Sequence, residues 1–203
     1  MSLFITFEGA DGCGKTTQIE LLNKYLQEKG FKTLVTREPG AKGLGEKLRE
    51  ILLNYDGEVS PNCESFLFLA DRAQHVDCVI KPALKDGVIV LCDRHTDSTV
   101  AYQGYGRQLD IEQIKKLNEI AVNGLKPDLT IVFDIDIETS MQRVGKTKDR
   151  MESAGMDFFN RVRNGYLAIA KEEPNRVKVI NSADTIERIH NQVVELVEKA
   201  VNK

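Results

Sequence analysis

Cysteine is scarce in this sequence, and what there is has no pattern. Cys13, Cys63, Cys78 and Cys92 form neither a CxxC pair nor a Cys/His ligand spacing, which excludes a disulfide-stapled or zinc-built scaffold and leaves four reduced thiols. Long hydrophobic runs are missing too. Apolar stretches such as 88–92 and 129–133 fall far short of the roughly 20 residues needed to cross a bilayer, so no membrane partner is expected. No basic leader with a cleavage site precedes the first strand-like segment, and the expectation is a cytoplasmic protein. Neither charge dominates. With 28 basic and 31 acidic side chains the net charge is −3, which offers no broad basic surface for nucleic acid; an anionic ligand must be held by local charge. Repeats, low-complexity tracts and linkers are also lacking, so residues 1–203 are expected to form a single domain. What remains is an ordinary globular composition, 41% hydrophobic and 29% charged. A chain of this size buries roughly 70% of its unfolded surface and needs no staple to hold a core.

Apolar, β-rich runs alternate with amphipathic stretches, the pattern of βα units around a parallel sheet. Five strands are expected, over 3–8, 32–36, 88–93, 129–134 and 177–181. The middle ones are nearly continuous in apolar residues, as strands covered by helices on both faces must be. Helices are expected over 15–29, 45–53, 61–85, 110–122, 156–171 and 185–201. Ser60 before Pro61, and Asp110 with Gln113 three residues on, read as helix starts; Gly30 and Gly124 read as stops. Pro82 should kink or split the third helix. The fold class is therefore α/β, three layers with a five-stranded parallel sheet flanked by helices, and a P-loop arrangement if the first strand-to-helix junction carries a phosphate-binding loop.

At the first strand-to-helix junction stands Gly9-Ala10-Asp11-Gly12-Cys13-Gly14-Lys15-Thr16, followed by Thr17. It satisfies GxxxxGK[ST], a spacing that a chain of this length meets by accident on the order of once in a hundred. Glycines let the backbone curl so that successive N–H groups point inward, and the helix dipole adds positive potential at the same place. Such a loop cradles the phosphates of ATP, with Lys15 reaching the β- and γ-phosphates and Thr16 ligating Mg²⁺. A guanine-reading NKxD segment is absent, and the only DxxG match, Asp11 to Gly14, lies inside this loop, so a GTP-dependent switch is a poor reading. A motor ATPase carries paired acids where this chain has Asp93-Arg94. Asp93 can support Mg²⁺ through water, while the planar fork of Arg94 suits a phosphate. The pair fits transfer between two phosphorylated ligands.

Four further segments resemble one family, the thymidylate kinases. Thr36-Arg37-Glu38-Pro39-Gly40 is similar to the family's TREPG turn, which implies that Arg37 meets the acceptor phosphate and Glu38 orders the site; Arg49 matches a second phosphate-contacting arginine. Phe66-Leu67-Phe68-Leu69-Ala70-Asp71-Arg72 resembles the FxxxR helix. Phe68 and Arg72, four apart, share a helix face, so the ring can stack on a pyrimidine and the guanidinium can bond its carbonyl. The run from Asp93-Arg94 to Ala101-Tyr102-Gln103-Gly104 resembles the stretch in which Thr99 and Gln103 meet the base edge and Tyr102 crowds the sugar's 2′ position. His95, where relatives often carry tyrosine, reads as a supporting residue. The basic stretch 143–156, with Arg143, Lys146, Lys148 and Arg150, resembles a mobile lid that excludes water over the phosphates. One branch of the family places an arginine where this chain has Gly12. The resemblance therefore makes the lid the source of the transition-state cation, Arg150 matching best. It also implies that Asp11 faces the acceptor nucleotide, that 181–184 approach adenine, and that the protein is a homodimer. The implied activity is transfer of the γ-phosphoryl of Mg·ATP to dTMP, giving ADP and dTDP, with Lys15, Asp93, Arg94 and Arg150 catalytic.

Overall fold

The computed structural model describes residues 2–143 and 155–201. Strand β1 (Leu3–Gly9) is followed by α1 (Lys15–Glu28), β2 (Thr33–Arg37), α2 (Leu44–Asn54) and α3 (Pro61–His75). A π-helical turn (Val76–Ile80) leads into α4 (Lys81–Lys85), then β3 (Ile89–Asp93), α5 (Thr96–Thr99) and a second π-helical segment (Val100–Gly106). Next come α6 (Ile111–Val122), β4 (Leu129–Asp134), α7 (Ile137–Arg143), α8 (Met156–Glu172), β5 (Val177–Asn181) and α9 (Ile186–Val201). The five strands are parallel in the order β2-β3-β1-β4-β5. Because β1 pairs with β3 on one side and β4 on the other, the connections diverge at its carboxyl end. A crevice opens there, where ligands of open α/β sheets bind.

Alternation along β1 divides the core. Leu3, Ile5 and Phe7 face α1 and α9, where they pack with Leu22, Leu26, Val193 and Val197. Phe4 faces the opposite layer with Val76, Ile80 and Val90. Every residue of β1 is buried, and each large apolar side chain so placed contributes about 1.5–3 kcal/mol relative to exposure. Between the β4–β5 side of the sheet and the layer of α8, Val132 and Val177 pack with Val162, Tyr166 and Ile169. α8 meets the 100–106 segment at close range. A Cβ on Gly165 would stand 2.8 Å from Tyr105, and one on Gly106 would stand 2.6 Å from Phe158, so only glycine lets these backbones approach.

The expected strands all occur, with ends displaced by at most a residue. Ser60 caps α3 by accepting the Cys63 N–H at 3.3 Å, Asp110 caps α6 by accepting the Gln113 N–H at 3.0 Å, and Gly30 adopts φ 85° beyond α1. α6 ends at Val122 as expected, with Asn123 at φ 45° and Gly124 at φ 80° both left-handed just beyond it. The helix expected over 61–85 divides, as Pro82 requires, but through the widened turn at 76–80 that precedes the proline rather than at it. α5 with the following π segment, and α7, correspond to no expected element. Lys146, Lys148 and Arg150 lie outside the described residues, so of the lid only Arg143 and the start of α8 are placed. No helix among the described residues is long and apolar enough to cross a membrane.

Candidate active site

The loop between β1 and α1 has the curled form its glycines anticipate, with φ of 134° at Gly9, 76° at Gly12 and 94° at Gly14. A side chain at Gly9 would stand 2.5 Å from the Phe133 carbonyl oxygen, so this glycine is required by space as well as by conformation. Lys15 is buried, its ammonium donating to the carbonyls of Ala10 at 3.0 Å and Gly9 at 3.3 Å. Gly12, Cys13, Gly14, Thr16 and Thr17 line a cavity of about 550 Å³, closed by Gln18, Arg143, Ser182, Asp184, Ile186 and Ile189. Gly9 and Ala10, also expected at the donor phosphates, do not line this cavity; their carbonyls hold the Lys15 ammonium instead. Cys13 also packs into the core below it.

A second cavity, of about 260 Å³, adjoins the first. Its walls are Arg37, Glu38, Pro39, Arg49, Leu53, Phe68, Arg72, Arg94, Ser98, Thr99, Tyr102 and Gln103, so every acceptor residue expected from sequence converges here. Asp11, Thr16 and Asp93 line both cavities, and the two chambers therefore meet end to end at these three side chains. Asp93 Oδ1 is buried with no hydrogen-bond partner among the described residues. An orphaned carboxylate oxygen and a threonine hydroxyl lining the same two cavities are hard-oxygen donors suited to Mg²⁺.

Charge in the second cavity is ordered by buried pairs. Arg72 is nearly inaccessible and spends four of its five N–H groups on the protein. It donates to Glu38 at 2.8 Å, Thr99 at 2.7 Å, Asn118 at 2.6 Å and the His95 carbonyl at 2.9 Å. The expectation that Arg72 simply reads a base is thereby narrowed: one N–H remains, and the group is chiefly the strut of the wall. Glu38 also accepts from His75 Nδ1 at 2.9 Å. Burial opposes its ionisation, but Arg72, then His95 and His75, outweigh burial and hold the carboxyl down to about 2. Burial lowers His95 to about 4, so at neutral pH it stands as an uncharged ring edge-on to Phe4 and adds to the pull on Glu38 only in acid. Gly40 adopts φ 94°, and a Cβ there would strike Arg49 at 2.6 Å; the glycine is what lets Arg49 lie across the turn and donate to the Pro39 carbonyl at 2.8 Å.

Nearer the junction, Arg94 adopts φ 69°, a left-handed conformation uncommon outside glycine. Its guanidinium donates to Asp11 Oδ1 at 2.7 Å and lies 4.9 Å from the Tyr102 ring centre. Burial resists the Asp11 charge, yet Arg94 and then Lys15 overcome it and hold Asp11 down to about 2. Gln103 donates to Glu64 at 3.0 Å, which in turn takes both arms of Arg107 at 3.1 Å. Tyr102 and Gln103 sit on the π-helical segment, whose wider turn presents both to the cavity. Sequence reasoning did not anticipate Ser98, Leu53, Gln18, Ile186 or Ile189 as lining residues. Ser98 lies inside the 93–104 run but has no role assigned there, the other four belong to no spaced motif, and only the fold brings them together.

A phosphate-cradling loop at the switch point of a parallel sheet, opening onto a second, arginine-rich chamber, defines a P-loop phosphotransferase with sites for two phosphorylated ligands. Comparison with known proteins specifies which. A family model described as thymidylate kinase matches residues 7–193. The thymidylate kinase of Pelotomaculum thermopropionicum is 47% identical over 98% of this chain and 94% of its own length, and that of Geotalea daltonii is 48% identical over 92% of each. The crystal structure of thymidylate kinase from Ehrlichia chaffeensis matches with a TM-score of 0.81 and 38% identity, covering 97% of this chain and 98% of that one. The chain belongs to the thymidylate kinase family and is a nucleoside monophosphate kinase.

Proposed function

We propose that the protein transfers the γ-phosphoryl group of Mg·ATP to the 5′-phosphate of dTMP, releasing ADP and dTDP, within a single domain whose basic segment 143–156 serves as a lid. The observation that carries this reading is the pair of cavities meeting at Asp11, Thr16 and Asp93. A donor whose phosphates lie on the Gly9–Thr17 loop amides and Lys15 faces an acceptor whose phosphate lies among Arg37, Arg49 and Arg94, and an in-line transfer needs little beyond that alignment. Thr16 and Asp93 would hold Mg²⁺, which when bound would neutralise charge developing on the phosphates. No general base is required, because the acceptor is already a phosphate anion. No covalent intermediate with the protein forms.

The groups left free in the acceptor cavity fit a pyrimidine-dione. Thr99 accepts from Arg72 and keeps its own hydrogen, Arg72 keeps one N–H, and the Gln103 carbonyl oxygen is unpartnered among the described residues. Two donors about one acceptor complement a base edge that presents two carbonyls about an N–H. Cytosine reverses part of that pattern and leaves buried groups unpaired. Pro39, Leu53 and Phe68 supply the apolar wall for ring and methyl group, and Tyr102 closes the sugar side. Arg150, outside the described residues, is proposed as the lid cation on the moving phosphoryl group, and the working form as a homodimer. The test is an ATP-consumption screen over dTMP, dUMP, UMP, CMP, AMP and GMP with the product identified. Turnover fastest with dTMP is expected. Preference for a purine acceptor, or ATP binding without a diphosphate product from any acceptor, would overturn the reading.

A further inference from the structure

Glu8 lies one residue before the end of the central strand, is wholly buried, and lines neither cavity. Nothing in the phosphoryl transfer described above uses it. Yet its carboxylate accepts three hydrogen bonds, and all three lead to Arg94. Oε1 takes the His95 N–H at 2.8 Å; Oε2 takes the Ser98 hydroxyl at 2.5 Å and the Tyr166 hydroxyl at 3.0 Å. The same two hydroxyl oxygens receive Arg94 Nη1, Tyr166 at 3.1 Å and Ser98 at 3.3 Å. A hydroxyl has one hydrogen. The two oxygens also lie 2.8 Å from each other, so the hydrogens run toward Glu8 either directly from both hydroxyls or through one hydroxyl into the other, and in either arrangement lone pairs are left for the guanidinium.

We propose that Glu8 is the positioning residue for Arg94, acting through Tyr166 and Ser98 to fix the guanidinium and through the His95 N–H to hold the left-handed backbone at Arg94. Backbone contacts alone do less. Arg94 N–H reaches the Phe7 carbonyl at 3.0 Å, but a non-glycine residue at φ 69° needs the next amide anchored as well, and Glu8 anchors it. The remaining hand of the guanidinium rests on Asp11, so Arg94 is held from the phosphate side and from beneath. Facing Glu8 are Asp97 and Ser98 from the α5 region, Arg94 and His95 from the turn after β3, and Tyr166 from α8. Burial first, and then the Asp97 carboxylate, push Glu8 up to about 7 against the opposing pull of the Ser98 bond, Arg94 and the His95 amide. A carboxylate kept at such a disadvantage is poorly explained by stability alone.

The inference rests on the reading that Arg94 meets the phosphates, and one kinetic cycle separates the two. Tyr166→Phe removes a single oxygen and keeps the packed ring; Glu8→Gln places an amide that must turn a hydrogen toward one hydroxyl or toward the His95 N–H. Each is measured in the wild-type and the Arg94→Ala backgrounds, with kcat, KM for ATP and dTMP, and the thermal midpoint. Expected is an about tenfold or greater loss of kcat for Tyr166→Phe and for Glu8→Gln, with KM for ATP unchanged, as for a lost bond to a charged group. Both losses should shrink to within about twofold when Arg94 is already alanine. Equal factors in the two backgrounds would overturn the positioning role while leaving Arg94 in place. Normal turnover in Arg94→Ala itself would remove the reading of Arg94, and the inference with it. Should Glu8→Gln fail to fold, Tyr166→Phe decides the matter by the same criterion.

Discussion

Replacing Glu38 by glutamine removes a charge from the wall of the acceptor cavity and leaves the buried Arg72 guanidinium without its counter-ion. Glu38 and Arg72 are each 2% exposed in their side chains and meet at 2.8 Å, with His75 on the other carboxylate oxygen at 2.9 Å and His95 at 3.5 Å. Net of burial, these neighbours hold the carboxyl at about 2 against 4.5 unperturbed. At 1.36 kcal/mol per unit, that is about 3 kcal/mol of stability, within the range of about 3–5 kcal/mol for breaking a buried ion pair from one side. The assay is urea unfolding of wild type and Glu38→Gln across pH. For a depressed carboxyl the contribution is fully present above pH 4.5 and is lost as pH falls toward 2. The gap between the two proteins should therefore be about 3 kcal/mol at pH 7 and narrow steadily below pH 4.5. Because Arg72 also supports Thr99 and the His95 carbonyl, KM for dTMP should rise along with the loss of stability. A gap under about 1 kcal/mol at pH 7, or one that does not change between pH 7 and 3.5, would refute the reasoning.

Three other substitutions probe separate links. Lys15→Ala should lower kcat by about a hundred- to a thousandfold with little change in the thermal midpoint, since in the proposed transfer it deletes the cation that meets the donor phosphates; near-normal turnover would remove Lys15 from that role. Gly9→Ala places a methyl 2.5 Å from the Phe133 carbonyl at φ 134°, and chemical denaturation should register a loss of about 2–4 kcal/mol. Arg150→Ala should reduce kcat more than it weakens dTMP binding, as a contact made mainly in the transition state would; steady-state kinetics showing equal losses in both would move Arg150 to the ground state.

The sheet was legible because strands covered on both faces need no alternation: 88–93 and 129–134 are apolar almost throughout, and little else they could form would bury them. The loop Gly9–Thr16 was legible because its glycines and lysine are spaced by phosphate geometry, which tolerates no slippage. α5 and the 100–106 segment were not, and their burial gives the reason. Residues 97–104 are all buried, so the helix has no solvent face and hence no stripe of period 3.6. α7, seven residues long, is too short for such a pattern. Phe68 and Arg72 were placed correctly on one wall, but the sequence could not tell that Asn118, from a helix 46 positions away, would claim part of the guanidinium. Glu8 was read only as the end of a strand. A buried carboxylate is visible only through its partners, and Ser98 and Tyr166 lie 90 and 158 residues along the chain.

The most direct measurement is a crystal structure with a bisubstrate analogue in which adenosine and thymidine are joined 5′ to 5′ by a chain of five phosphates. Expected is the phosphate chain running from the Gly9–Thr17 loop past Asp93 to Arg37, Arg49 and Arg94, with the thymine ring against Phe68. A thymine bound outside the Phe68 wall, or a phosphate chain that does not pass between Thr16 and Asp93, would contradict the two-chamber arrangement on which the proposed transfer depends.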